Sequence, residues 1–293
     1  MPATADDSAL TAVLKRDRLV VIAALVTVIV LAWAYILAGA GMGMSAPEMT
    51  AMTGPPAAGM DRAASGMAAG EDASGPIHDM AMAAMAPMAW TPGYAVLMFF
   101  MWWIMMMAMM LPSATPMILL FALINRTQRE KGAPYVPTGI FAAGYLAVWS
   151  AFSLVAVTAQ WGLERIGLLS SMMASTSVLL GAGLLIAAGL YQLSPLKHAC
   201  LRHCRSPIFF IGHHWRPGNL GALRMGVAHG AFCTGCCWFL MALLFYGGVM
   251  NLYWIVGLAA FVLLEKTVPA GHWLGRITGA LLIAWGGALI LAV

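Results

Sequence analysis

The stretch His229-Gly230-Ala231-Phe232-Cys233-Thr234-Gly235-Cys236-Cys237 lies inside an apolar run that extends from Leu220 to Tyr246. A run of this length predicts a transmembrane helix, which needs about 20 apolar residues. The composition agrees, because 62% of the 293 residues are hydrophobic and only 9% are charged, against roughly a quarter charged in soluble domains. We therefore expect an integral membrane protein built from helices, whose backbone polar groups are satisfied within each segment.

The polar residues of this stretch share one face of the predicted helix. Offsets of four, seven and eight residues align Cys233, Cys236 and Cys237 with His229, and Met225 extends the face by one turn. An imidazole, thiols and a thioether are soft ligands that suit Cu(I), with Zn(II) as a second candidate. This face therefore predicts a metal or thiol site. The alternative is that the cysteines pack as small apolar side chains.

Six further apolar runs predict an all-α polytopic membrane protein with about seven transmembrane helices. They are residues 19–38, 94–124, 138–160, 173–193, 250–264 and 272–293. Lys15, Arg16 and Arg18 precede the first run and place the N-terminus in the cytoplasm. The resulting N-in, C-out topology leaves only Arg62 and Arg165 of the 15 basic residues outside, as the positive-inside rule requires.

These runs divide the chain into three parts. Residues 1–40 form a cytoplasmic N-terminus and the first helix, residues 41–90 an extracytoplasmic linker, and residues 91–293 a six-helix metal-binding membrane domain. The linker is rich in Met, Gly, Ala and Pro and has too few large aliphatic residues to build a core, so we expect it to be flexible. Its methionines are Met42, Met44, Met49, Met52, Met60, Met67, Met80, Met82, Met85 and Met88. Thioethers along such a loop could collect Cu(I), and compositional drift is the alternative.

The second run carries a methionine stripe. Met105, Met106, Met109 and Met110 follow Met98 and Met101 at helical spacing, so they lie on one side of the predicted helix. Such a stripe fills a core in most proteins. If it faces the cysteine-bearing helix, it would complete a site of soft ligands.

The polar loop after residue 193 holds a second group of metal-ligating side chains. Cys200, His203 and Cys204 would converge if the segment forms a helical turn, and His213 and His214 follow. The basic residues between them favour thiolates, but they equally predict a cytoplasmic surface that contacts anionic lipid. Both interpretations stay open, as does whether the two cysteine groups form one site or two.

Glu265 and its neighbour Lys266 end a short apolar run near the predicted cytoplasmic boundary. An acid in that position pairs with a base, or it serves as a hard ligand or a proton site. We expect pairing, with Lys266, Arg224 or Arg276 as the partner.

Several segments together resemble a bacterial family of predicted metal-binding integral membrane proteins, long described as a domain of unknown function. They are residues 106–112, 193–197, 200–204, 214–218, 221–230, 233–238, 250–252 and 265–266. Some members of that family are described as copper chaperones that metallate a tyrosinase-type copper oxidase. The resemblance covers about residues 90–293, outside the methionine-rich linker, and it implies copper handling.

The leading hypothesis is a copper chaperone or Cu(I) transfer protein in a bacterial inner membrane. It would deliver or move copper for an extracytoplasmic or membrane copper protein, as one subunit or within a membrane complex. No nucleic-acid partner is expected. The sequence has no Gly-Lys-Ser/Thr phosphate-binding loop, so it does not predict ATP-driven pumping by this chain.

Two other functions remain. Cys233 and Cys236 form a Cys-x-x-Cys pair that a membrane thiol or copper oxidoreductase could use. That helix has no flanking cation to activate the thiols, which argues against an enzyme. The third hypothesis is a structural subunit of a larger membrane complex, in which the cysteines and methionines only pack.

Overall fold

The computed structural model describes residues 5–53, 89–130, 136–170 and 173–292. These residues form helices joined by short connections, with one isolated β-bridge between Leu169 and Ser175. The helices are α1 Ala5–Leu37, α2 Ala46–Thr53, α3 Pro92–Glu130, α4 Thr138–Arg165, α5 Val178–Leu193, α6 Pro195–Arg205, α7 Pro207–His214, α8 Gly218–Ala242, α9 Leu244–Gly247, α10 Leu252–Thr267 and α11 Gly271–Leu291. The all-α polytopic prediction is confirmed.

Fewer helices can cross a membrane than the seven predicted. Five spans in the described part of the chain are long and apolar enough, namely Arg18–Leu37, Pro92–Gln128, Thr138–Arg165, Gly218–Gly247 and Gly271–Leu291. A sixth is possible if α5 and α6 form one span bent by 65°. Helices do occupy all seven predicted positions, but α5 and α10 have only 16 residues each. Each is about 24 Å long, below the roughly 30 Å of a bilayer core.

Local sequence explains both short helices. Ser194 ends α5 in an extended conformation, caps Lys197 N through its side chain and is followed by Pro195 at the first turn of α6. α10 begins after the Asn251 cap and ends at Thr267, and its C-cap Val268 precedes Pro269. Residues before proline disfavour the helical conformation. Caps and prolines therefore set the ends of these two helices.

Glycines bring the central helices into close contact. A Cβ built on Gly226 of α8 would lie 2.0 Å from the carbonyl oxygen of Phe141 in α4, and one on Gly144 would lie 2.4 Å from that of Leu223. Only glycine fits at such a separation, as in other membrane helix pairs. This approach fixes the face of α8 that carries His229 and the cysteines against α4.

Part of the expected linker is helical. Ser45 donates its backbone N–H and its hydroxyl to Glu48 at 2.8 and 2.7 Å, a capping-box arrangement that starts α2 and lowers the pKa of the Glu48 carboxyl. The Thr50 hydroxyl oxygen accepts a hydrogen bond from Leu252 N at 3.0 Å, which ties α2 to the start of α10. Residues 54–88, with Met60, Met67, Met80, Met82, Met85 and Met88, lie outside the described residues. Copper collection by the linker, and the division into three parts, stay predictions.

Candidate metal centre

Four of the five thiols meet in one place, which we call the thiol cluster: Cys204, Cys233, Cys236 and Cys237. The Cys204 thiol of α6 lies close enough to the Cys233 and Cys236 thiols of α8 to interact with them electrostatically, and the Cys237 thiol lies beside the same two. Cys233, Cys236 and Cys237 are at most 1% exposed, and all five cysteines are free thiols. Cysteines from α6 and from α8 thus contribute to one cluster. The sequence alone left open whether the two groups of cysteines form one cluster or two.

The fifth thiol lies beside the cluster. A Cβ on Gly235 would be 3.0 Å from Cys200 Sγ, so the Cys200 side chain packs on the turn between Cys233 and Cys236. The 65° bend before α6 brings both of its cysteines to α8. Arg205 strengthens this placement, because its Nη2 donates to the carbonyl oxygens of Val268 and Pro269, each at 2.6 Å.

A buried ammonium group faces the thiol cluster. Lys266 Nζ donates to Cys233 Sγ at 3.0 Å and to Ser113 Oγ at 3.3 Å, and the residue is 7% exposed. A buried cation is stable only when an anion or strong acceptors compensate its charge. Sequence reasoning missed this role because it placed Lys266 at the membrane boundary. The only signal was a lysine at the end of an apolar run.

Glu265, the preceding residue, has a different partner from those expected. Its carboxylate forms a buried ion pair with Lys197 of α6 at 2.8 Å, and the Gln192 side chain also accepts a hydrogen bond from that ammonium group. Both charged side chains are at most 1% exposed. The expected pairing with Arg224, Lys266 or Arg276 is therefore corrected to Lys197, which leaves Lys266 directed at the thiols.

His229 is buried without a hydrogen bond. Neither ring nitrogen has a partner among the described residues, and the residue is 2% exposed. Aromatic rings surround it, with centroid separations of 6.1 Å to Phe141, 5.6 Å to Tyr145 and 5.4 Å to Phe210. An imidazole buried without a partner loses its hydration at a cost of about 1–3 kcal/mol. It is available to a ligand one helical turn from Cys233.

The methionine stripe of α3 reaches the thiol cluster. Cys237 Sγ lies 3.9 Å from Met110 Sδ, and the Tyr145 hydroxyl lies 3.2 Å from Cys233 Sγ. We call the methionines of the stripe the thioether row: Met98, Met101, Met105, Met106, Met109 and Met110, each at most 1% exposed. Met98, at its far end, accepts a hydrogen bond from Gln160 Nε2 at 3.6 Å. The row extends about 18 Å at 1.5 Å per residue.

Other predicted ligands are engaged elsewhere. Met225 Sδ accepts the backbone N–H of Arg216 at 3.4 Å. His203, His213 and His214 each place Nδ1 2.9–3.0 Å from the carbonyl oxygen four residues earlier. The His203 ring also stacks on Phe232, with a centroid separation of 4.0 Å. These histidines keep Nε2 for other partners, but these contacts do not direct them at the thiol cluster.

Within residues 5–53, 89–130, 136–170 and 173–292, no group of three or more His, Cys, Asp or Glu side chains stands arranged to hold a metal ion. The hydrogen bonds that the thiols already make explain why they are not arranged around a common point. Cys236 and Cys237 both donate to the Cys233 carbonyl oxygen at 3.0 Å, and Lys266 occupies the Cys233 sulfur. Binding an ion would require these side chains to rotate towards a common centre.

Comparison with known proteins gives one result. The family model PpoB2, described as a copper chaperone, matches residues 99–289. The match includes all five cysteines, His229, Lys266 and five methionines of the thioether row, and it leaves out α1, α2 and the linker. No protein with curated annotation and no solved structure gives a significant match.

Proposed function

Because this chain belongs to the copper chaperone family, we propose that it holds Cu(I) at the thiol cluster, within the bilayer, and delivers it to a copper protein. The observation that carries this proposal is the thiol cluster itself, next to the buried His229 imidazole, which has no hydrogen-bond partner among the described residues. Thiolate, imidazole and thioether groups are the donors that select Cu(I) over harder ions. Zinc, which accepts thiolates and imidazole as well, is the competing metal.

Lys266 supplies the charge that such a site requires. Two thiolates around Cu(I) leave one net negative charge, which is costly to bury alone. The ammonium group 3.0 Å from Cys233 Sγ offsets that charge. Its hydrogen bond to Ser113 holds it beside the thiols without adding a second anion. This arrangement supports a buried site for a monovalent soft cation.

The thioether row would then conduct the ion away from the cluster. Met110 lies next to Cys237, and the row ends at Met98 near the start of α3. Neutral thioethers bind Cu(I) more weakly than thiolates do, so they suit transfer rather than storage. In the predicted topology Met98 lies towards the extracytoplasmic face of a bacterial inner membrane. We therefore propose that the acceptor copper protein docks there.

The first experiment is elemental analysis of detergent-purified protein after loading with Cu(I), paired with titration of free thiols. We expect about one copper per chain, with thiols that become reactive only after a Cu(I) chelator is added. Loading with Zn(II) in parallel identifies the metal. A chain that holds no metal under either condition contradicts the proposal.

A thiol oxidoreductase is the second candidate, and Lys266 favours it. The flanking cation that the sequence did not place beside the Cys-x-x-Cys pair lies 3.0 Å from Cys233 Sγ, and a nearby cation activates a thiol. The same titration separates the two functions. Two thiols that cycle between oxidised and reduced states without bound metal would support the oxidoreductase instead.

A further inference from the structure

A polar network surrounds the Met98 end of the thioether row, away from the thiol cluster. Gln160, which is fully buried, is its centre. The Gln160 Nε2 atom donates to Met98 Sδ at 3.6 Å and to Glu164 Oε1 at 2.8 Å, and Gln160 Oε1 accepts a hydrogen bond from Trp102 Nε1 at 2.8 Å. Because an indole nitrogen only donates, Trp102 fixes which end of the amide faces it. A thioether sulfur and a carboxylate oxygen therefore converge on one amide nitrogen.

The amide nitrogen of Gln160 lies where a cation would have two ligands. A thioether binds soft ions such as Cu(I) through its sulfur, and the Glu164 carboxylate adds a negatively charged oxygen. Since metal–sulfur bonds are about 2.3 Å long, the Met98 sulfur would have to move roughly 1 Å towards an ion in that position. The flexible methionine side chain allows such a movement.

The Glu164 carboxylate also balances the charge of a bound ion. Cu(I) held by thioethers alone keeps its full positive charge, which is costly to bury, and one carboxylate cancels that charge. Trp90 Nε1 donates to the other carboxylate oxygen at 2.6 Å and holds it in place. Glu164 is partly exposed, whereas Met98 is buried. The carboxylate therefore connects the end of the thioether row to the surface.

We propose that Met98 and Glu164 form a second metal site, for a soft monovalent cation, at which Cu(I) leaves the thioether row. This site rests on the proposed function, because it serves the transfer of Cu(I) from the thiol cluster. Without the ion, the Gln160 amide occupies the site and satisfies both acceptors, and the ion enters by displacing it. A thioether and a carboxylate hold Cu(I) less firmly than thiolates do, which suits transfer to an acceptor protein.

The test observes Met98 directly, by NMR of the full-length protein in detergent with its methionine methyl groups labelled. Ag(I) is the probe, because it is a soft monovalent cation like Cu(I). The variants Met98→Leu and Met117→Leu identify the two signals that are compared. We expect Ag(I) to shift the Met98 signal once the thiols are protected from a thiol reagent. The signal of Met117, a buried methionine outside the thioether row, should stay unchanged.

Glu164→Gln tests the carboxylate, because it removes the charge and keeps an acceptor for Trp90. The Ag(I) concentration that shifts the Met98 signal should rise by roughly tenfold or more, as for groups that support metal ligands. The matched control is Glu48→Gln, which removes an exposed carboxylate on the same side of the membrane in the predicted topology. Glutamine serves equally well at this capping-box position, so the Met98 response should not change.

Three outcomes separate this site from the proposed function. A Met98 signal that ignores Ag(I) although the thiols are protected would overturn the second site and leave the proposed function intact. Equal effects of Glu164→Gln and Glu48→Gln would also overturn it, since they indicate general attraction by charge. Thiols that stay reactive in Ag(I) would contradict the proposed function, whereas the Met98 signal still decides the second site. The first and third outcomes do not require the Glu164 variant to fold.

Discussion

The two ends of the thioether row lie near side chains of opposite charge. At the Met110 end, ionisable thiols face the ammonium group of Lys266. At the Met98 end, Gln160 donates to the methionine sulfur and also to the carboxylate of Glu164, which accepts a second hydrogen bond from Trp90 Nε1 at 2.6 Å. One end therefore holds a cation next to sulfur and the other holds an anion near it.

If Cu(I) moves along the row as proposed, this difference in charge would give its movement a direction. An incoming cation meets repulsion from Lys266 unless thiolates bind it, so it is held firmly or not at all at the Met110 end. Near Met98 the Glu164 carboxylate attracts a cation by its charge, and no thiolate is present there to hold the cation firmly. Four predictions test this contrast, in order of decreasing effect.

Gly226→Ala should have the largest effect, because the added Cβ would lie 2.0 Å from the Phe141 carbonyl oxygen. The helices α4 and α8 must separate, which removes the contacts between Tyr145 and the thiol cluster. We expect a loss of stability of about 2–4 kcal/mol, in the upper range for point substitutions, measured by thermal unfolding in detergent. Gly183→Ala is the matched control, since nothing lies within 4 Å of its Cβ; an equal loss there would show that helix separation is not the cause.

His229→Ala combined with Cys236→Ser should abolish high-affinity copper binding and leave membrane insertion intact. We expect the Cu(I) affinity to fall by more than the roughly 10–100-fold typical of groups that only support ligands. Competition with a coloured Cu(I) chelator measures it. Cys200→Ser, at a thiol outside the cluster, should lower the Cu(I) affinity by less. Unchanged copper in the double variant would exclude the α8 site.

Lys266→Leu should weaken Cu(I) binding by roughly 10–100-fold, because the charge of the bound complex is then uncompensated, as for other groups supporting a metal. Lys266→Arg keeps the charge and should restore most of the affinity. The same chelator competition measures both. If the leucine variant binds copper normally, Lys266 does not act as the compensating charge.

Met105→Leu with Met109→Leu should have the smallest effect on folding, because leucine conserves volume at a cost below about 1.5 kcal/mol per site. Copper at the thiol cluster should stay, while its release to a chelator outside proteoliposomes should slow several-fold. Met117→Leu, at a buried α3 position outside the thioether row, controls for the exchange of methionine for leucine itself. Normal release would show that the thioether row only fills the core.

Sequence patterns predicted the parts of this contrast that depend on one helix at a time. The period of 3.6 residues placed His229, Cys233, Cys236 and Cys237 on one face, and all four are buried. Apolar runs located seven helices but overestimated the spans. The helix in the 173–193 run begins only at Val178, after the Ser177 cap, and the helix in the 250–264 run has only 16 residues.

Contacts between distant segments were not predictable in the same way. Cys204 reaches the cluster only because α6 folds back by 65° from α5, and no periodicity encodes that bend. Lys266 was assigned to the boundary because charged residues usually lie there. The Lys266 side chain can point inward because Glu265 pairs with Lys197, which lies 68 residues away in the sequence. Cys204 was therefore predicted as a candidate ligand, but its contact with the α8 thiols and the inward direction of Lys266 were not.

Contacts at both ends of α6 couple its position to that of the turn after α10. One end of α6 is tied to Glu265 through Lys197, and the other is tied through Arg205 to the carbonyl groups of Val268 and Pro269. The turn and the helix must therefore move together. A protein that bound at residues 268–270 and displaced this turn would tilt α6 and move Cys204 away from the sulfur atoms of α8. The site would then bind an ion more weakly, although no membrane span had unfolded.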